Sequence, residues 1–288
     1  MRENHLRTLF AQKKLALNGW ASIGNSFLAE LIADCGYDAV TIDLQHGLFS
    51  VETAVPMLQA ISATPAVPLV RCSENSLGEI NKLLDAGAYG VICPLVNSKE
   101  DAEKFVRACH YSPRGGRSYG PARGVLYGGK DYFEHANRTI LTLAMIETRQ
   151  GLAAAEEILS VPDLDGIFIG PSDLAIDMGL APDAWNDDQV DQAFRHLIDL
   201  AHARGKYVGI FCGSVDMAEH MKACGVDMLV PGTDAQLLRA ETMRRLEVLN
   251  NTLAQNTKYI VPSNSSLVNV LGLDSAVQAL PKSASDAS

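Results

Sequence analysis

No stretch of the 288 residues holds the ~20 consecutive apolar side chains of a membrane span. The opening MRENHLRTLFAQKK is polar and amphipathic, without the apolar core of a secretory signal, so the chain reads as cytoplasmic. Basic residues are in deficit. Lys and Arg number 24 against 34 Asp and Glu, and the net charge of −10 argues against a nucleic-acid or anionic-membrane partner. No two of the six cysteines (Cys35, Cys72, Cys93, Cys109, Cys212, Cys224) form a C-x-x-C pair, and all lie in or beside predicted strands and helices. They read as small buried hydrophobes in a reducing compartment, not as disulfides or zinc ligands. No G-x-G-x-x-G follows the first predicted strand and no Walker loop is present, which weakens nucleotide binding. G-x-S-x-G is absent too, and Ser172 has no evident base in the sequence, so no serine nucleophile stands out.

What the chain does have is eight short apolar runs, many of them rich in β-branched residues: 15–22, 39–44, 66–72, 89–96, 141–147, 166–170, 206–212 and 228–232. Amphipathic segments alternate with them, among them 26–36, 76–87, 98–110, 188–205 and 214–225, and most stop at glycine as a helix end prefers. Near-continuous apolar strands alternating with such helices imply a parallel sheet covered by helices. Eight units in this length predict an α/β fold of the (β/α)8 TIM-barrel type, over residues 1–250. Residues 251–288 are expected to form a C-terminal helix followed by a disordered tail. The stretch 110–138, rich in Gly, Arg and Tyr, exceeds an ordinary connection and reads as a long functional or mobile loop.

In such a barrel the polar residues at strand C-terminal ends carry the chemistry. That rule selects Asp43, His46, Arg71, Glu147 and Asp173. Glu147 closes LTLAMIE and Asp173 follows GIFIGPS, one βα unit later, so both carboxylates point into one mouth, where they could bridge a hard cation such as Mg²⁺ or Mn²⁺. A 2-oxo acid could fill coordination positions left free, with its enolate stabilised by the metal and by Arg71. His46 is suited to moving a proton, and Asp43 or Asp85 is expected to orient its ring. The backbone N–H groups of Ser172 and Asp173 could hold a substrate carboxylate. Imine chemistry is disfavoured: Lys206 begins a strand, and Lys13, Lys14, Lys82, Lys99, Lys104, Lys130, Lys222, Lys258 and Lys282 lie before strands, on helices, in the long loop or in the tail.

At these residues the chain resembles a known family. DLQHG (43–47), LVRCSEN (69–75), SPRGGRSYGP (112–121), MIETRQG (145–151) and IGPSDLAIDMG (169–179) are similar to the HpcH/HpaI family, metal-dependent class II aldolases that form pyruvate. The resemblance covers about residues 5–245 and implies a barrel of the phosphoenolpyruvate/pyruvate type. It implies Glu147 and Asp173 as ligands of Mg²⁺, Mn²⁺ or Co²⁺, and Arg71 on the pyruvyl oxygen with Gly170, Ser172 and Asp173 around the substrate. His46, assisted by Asp43 or Asp85, is then the proton carrier. The substrates implied are pyruvate and an aldehyde. The assembly implied is a homo-oligomer, trimer or hexamer, in which neighbours exchange the last helix and 110–138 borders an adjacent site. Two positions depart from the family pattern: Gln45 stands where many members have Glu, and Met145 where they have Gln. D-x-Q-H-G is also similar to macrophomate synthase, which implies an alternative in which oxaloacetate decarboxylation feeds another carbon–carbon bond formation. A barrel retained only to bind a ligand is the non-enzymatic alternative, and the intact set of five polar residues counts against it.

Overall fold

The protein is described by a computed structural model, of which residues 1–255 are described. Beyond residue 255 the expected C-terminal helix and tail lie outside the described residues. All eight apolar runs are strands: β1 Ala16–Ala21, β2 Ala39–Asp43, β3 Val67–Arg71, β4 Gly90–Cys93, β5 Leu141–Ile146, β6 Gly166–Ile169, β7 Tyr207–Phe211 and β8 Met228–Val230. They pair in parallel in chain order and close into a barrel, with Ala16 of β1 opposite Met228 of β8. Every residue of β2, β3, β4, β5, β6 and β8 is buried, because one face fills the barrel and the other lies under helices. That two-sided burial is the reason these strands read as unbroken apolar runs.

The first helices are α1 (His5–Ala11), α2 (Ser26–Asp34), α3 (Val51–Ser62), α4 (Leu77–Asp85) and α5 (Lys99–Cys109). After them come α6 (Ala122–Gly128), α7 (Tyr132–Thr139), α8 (Arg149–Ala153), α9 (Ala155–Leu159) and α10 (Pro171–Asp177). The last are α11 (Asp188–His202), α12 (Val215–Cys224) and α13 (Asp234–Gln255). The sequence logic of the outer ring is clearest in α5. Ser98 caps it by accepting from the Asp101 N–H, acidic residues occupy its first turn, and Ala102, Phe105, Val106 and Cys109 repeat at helical spacing to bury one face. At the other end of such a helix, α12 stops at Gly225, whose φ of +93° only glycine takes without strain.

Residues 110–138 are not one long loop. They carry α6 and α7 and pack around Arg117, whose side chain is fully buried. Arg117 donates to the Tyr132 hydroxyl at 3.0 Å and to Asp85 at 2.8 Å, and its guanidinium lies 4.4 Å over the Tyr111 ring. Because the segment joins the end of α5 to the start of β5, it lies at the strand N-terminal end of its own barrel, opposite the mouth.

Residues Met1–Leu238 form one compact unit, and a second begins at Arg239. Of that second unit the described part is the remainder of α13, where Met243, Leu246 and Leu249 are exposed. Among the described residues no helix is long and apolar enough to cross a membrane.

Candidate active site

A cavity of about 310 Å³ opens at the strand C-terminal ends and is lined by Asp43, His46, Arg71, Glu147, Ser172 and Asp173, with Gly170 and Pro171 between the carboxylates' strand ends. Trp20, Met145 and Phe211 supply much of its apolar wall. Seven of the eight expected site residues therefore meet in one place. Among the described residues no lysine lines it. Lys206 sits at the other end of the barrel, with its ammonium donating to the Leu164 and Val161 carbonyls.

Asp43 and Arg71 are the last residues of adjacent strands, and the parallel register sets them directly opposite each other. Their side chains form a bidentate fork: Arg71 Nε donates to Asp43 Oδ1 at 2.8 Å and Nη2 to Oδ2 at 2.5 Å. Trp20 Nε1 donates to the same Oδ2 at 3.1 Å, and the guanidinium lies 5.0 Å above the Trp20 ring. Burial would raise the Asp43 carboxyl, but the hydrogen bonds and charge of Arg71, helped by Trp20 and the His46 backbone, outweigh it and hold the group below its ordinary value. The fork occupies Nε and Nη2. Nη1 faces only the Met145 sulfur at 3.9 Å, a weak acceptor, and remains able to donate into the cavity. Here Met145 has a consequence: a stronger acceptor at that position would compete for this donor.

Two expectations about His46 do not hold within this chain. Asp43 does not orient the imidazole; its Oδ1 accepts the backbone N–H groups of Gln45 at 3.1 Å and His46 at 3.3 Å, the ordinary turn-forming habit of Asp. Asp85 does not reach it either, since it ends α4 at the far end of the barrel and pairs with Arg117. His46 itself is exposed at the rim of the cavity.

Glu147 follows the last residue of β5 and is 3 % exposed. Its Oε1 accepts the Leu95 N–H at 2.7 Å. Leu95 reaches that position with φ +53°, an uncommon left-handed conformation for leucine and one that stores strain at the site. Burial raises the Glu147 carboxyl above its ordinary value and the nearby Asp173 charge pushes the same way, while the Leu95 N–H and Arg71 oppose without cancelling. Two carboxylates thus share a mouth whose one arginine is already engaged. That donor set, oxygen only and short of positive charge, fits a hard divalent cation.

Gly170 makes the pair possible. A Cβ there would stand 2.7 Å from both Cβ and Oε2 of Glu147. Gly170→Ala should displace the carboxylate and lower kcat by about 10²-fold, the cost of a misplacement near 1 Å. Steady-state kinetics beside an unchanged far-ultraviolet spectrum checks this. Asp234, which the sequence did not single out, braces the mouth by accepting from Ser22 N–H (2.9 Å), Ser22 Oγ (2.6 Å) and Ile23 N–H (3.0 Å).

Fold and site together define a parallel-barrel enzyme with an acidic mouth braced by a buried arginine. Residues 19–240 match the family model HpcH/HpaI aldolase/citrate lyase, and the chain belongs to that family. It is an aldolase of this family. A "Hydroxypyruvate/pyruvate aldolase" of Rhizorhabdus wittichii is 46% identical over 238 residues, covering 82% of this chain and 95% of the relative. A "5-keto-4-deoxy-D-glucarate aldolase" of Shigella dysenteriae is 32% identical over 243 residues, covering 84% and 94%. Among solved structures, an HpcH/HpaI aldolase/citrate lyase family protein from Burkholderia cenocepacia superposes with a TM-score of 0.81 at 27% identity, over 86% of this chain and 99% of that one.

Proposed function

We propose that the mouth cavity is a divalent-metal-dependent active site that reversibly cleaves a 4-hydroxy-2-oxo acid to pyruvate and an aldehyde. The observation that carries this reading is the convergence of the Asp43–Arg71 fork, His46, Glu147 and Asp173 on one cavity without a lysine. Glu147 and Asp173 are the residues that hold the cation, Mg²⁺ or Mn²⁺ by their oxygen-only chemistry, with Co²⁺ a further candidate. Bound there, it supplies Lewis-acid stabilisation of the negative charge that develops on the substrate. Arg71 Nη1 donates to the 2-oxo oxygen as that charge grows, and the fork with Asp43 keeps the guanidinium from turning away. Gly170 and the backbone of Ser172 and Asp173 frame the substrate carboxylate. His46, at the open rim, moves the proton of the hydroxyl whose carbon leaves as the aldehyde. Trp20 and Phe211, with ring centroids 5.8 Å apart, exclude water beside the enolate carbon.

The R. wittichii relative's name adds hydroxypyruvate as a donor, so the test offers both oxo acids. Chelated and Mg²⁺- or Mn²⁺-loaded protein is incubated with pyruvate or hydroxypyruvate and a panel of aldehydes. Aldol product that forms only with metal supports the reading, whereas product unaffected by chelation overturns it. Turnover of oxaloacetate far above that of any hydroxy-oxo acid favours the decarboxylating alternative. Four buried thiols (Cys72, Cys93, Cys109, Cys212) fit a cytoplasmic setting. The exposed Met243, Leu246 and Leu249 of α13 support assembly into a homo-oligomer, trimer or hexamer, with the mass in solution as the measurement.

A further inference from the structure

On the outer ring of helices, away from the mouth, three chemically different donors face one another. Asp191 lies in the first turn of α11; His220 and Cys224 lie four residues apart on α12, hence on one face. Asp191 Oδ1 is 2.6 Å from His220 Nε2, and the Cys224 sulfur is 3.6 Å from the same nitrogen. The three ligand atoms all lie within 4.8 Å of one another, and among the described residues no other group of three His, Cys, Asp or Glu side chains is so placed. None of the three lines the mouth cavity.

The surroundings prepare these donors. Arg195, one turn along α11, donates from Nε to Asp191 Oδ2 at 2.8 Å, which fixes the carboxylate and leaves Oδ1 turned toward His220. The Trp185 ring packs 5.6 Å from the imidazole and limits its rotation. Asp191 and His220 keep 24% and 32% of their side-chain surface, so an ion can enter from solvent. Cys224 also differs from Cys72, Cys93, Cys109 and Cys212, which are buried in the barrel, and from Cys35, which is exposed and belongs to no such group.

We propose that Asp191, His220 and Cys224 form a second cation site that takes Zn²⁺ and ties α11 to α12. Tetrahedral zinc with bonds of about 2.0–2.3 Å sets its donors roughly 3.3–3.8 Å apart. The nitrogen–sulfur distance already has that value, and the oxygen–nitrogen pair needs to open by roughly 0.7 Å as the ion replaces the shared proton. A mixed O, N and S set prefers zinc to magnesium, so this site and the oxygen-only mouth select different ions. Binding expels the thiol proton of Cys224, which burial holds above its ordinary value. Water completes the coordination.

Cobalt(II) replaces zinc and reports sulfur ligation by a thiolate-to-metal charge-transfer band in the near ultraviolet, which an all-oxygen site cannot produce. The full chain, reduced and metal-free, is titrated with Co²⁺ and then with Zn²⁺ or Mg²⁺. The expected result is one equivalent of cobalt showing the band, displaced by Zn²⁺ and not by Mg²⁺. Cys224→Ser should lose the band and Cys35→Ser keep it, while Asp191→Asn should weaken cobalt binding at least about tenfold. Mg²⁺-dependent aldolase activity within about twofold of wild type shows that Cys224→Ser is folded. Absence of the band in the wild type, or its survival in Cys224→Ser, overturns the proposal.

Discussion

Glu147→Gln is expected to abolish aldol turnover and, in the metal-free protein, to raise thermal stability. The loss follows from the ligand role proposed for Glu147: metal stabilisation of transition-state charge is worth several kcal/mol, so removing a ligand should lower kcat by about 10³-fold or more. The gain follows from burial. Glu147 is 3 % exposed, and its carboxyl sits above the ordinary value because burial, and then the Asp173 charge, disfavour ionisation. A carboxyl whose folded value exceeds its unfolded one, about 4.3, favours the fold below that pH and loses the contribution as pH rises through the folded value. At pH 7 to 8 the ionised group therefore works against the metal-free fold. Glutamine keeps an oxygen for the Leu95 N–H and carries no charge. Melting curves at pH 5 and pH 8, with and without Mg²⁺, provide the check. Wild type should lose more stability than the variant between the two pH values and recover it with metal, and the variant should gain little from metal. A wild-type melting temperature indifferent to divalent cations would remove the metal from Glu147.

How far the site was legible depends on which contacts follow from local pattern. Buried parallel strands announce themselves as apolar runs, and each run's last polar residue falls at the mouth, so Asp43, Arg71, Glu147 and Asp173 were readable from the chain alone. The Asp43–Arg71 fork spans 28 residues and depends on strand register, which no local spacing encodes. The wrong partner for His46 came from treating a three-residue spacing as ring contact. Asp43 at a strand–turn junction satisfies backbone N–H groups first, a habit that was available to weigh. Asp85 was readable as remote, since a residue ending a helix before a strand lies at the far end of the barrel. The helices inside 110–138 stayed hidden because neither α6 nor α7 has a side-chain cap bond and both are short. The strained Leu95 amide left no trace in the sequence, because nothing in a leucine foretells a positive φ.

Asp43→Asn should cost both stability and rate, and separating the two losses tests what Arg71 does. Asp43 and Arg71 are 2% and 7% exposed, so solvent does little to relieve an unpaired charge there. Asparagine can still accept the Gln45 and His46 amides through one oxygen, which leaves the turn intact and confines the loss to the Arg71 fork and the Trp20 N–H. Removing one partner of a buried ion pair typically costs about 3–5 kcal/mol, which for a chain of this size lowers the melting temperature by roughly 10 °C. The pH dependence has a fixed sign. Asp43 is held below its unfolded value of about 3.9, so its contribution is complete above that pH and disappears only as pH falls through the lower folded value. Wild type should therefore show an acid-side loss of stability that Asp43→Asn lacks, while at pH 7 the difference between them is largest. For the rate, loss of one oriented donor to a developing oxyanion lowers kcat by about 10²–10³-fold. Arg71→Lys should match that kinetic loss, because an ammonium cannot hold the fork and still extend a second donor into the cavity. If Asp43→Asn melts early yet keeps wild-type kcat below its melting temperature, Arg71 is a structural ion-pair partner and another group stabilises the enolate.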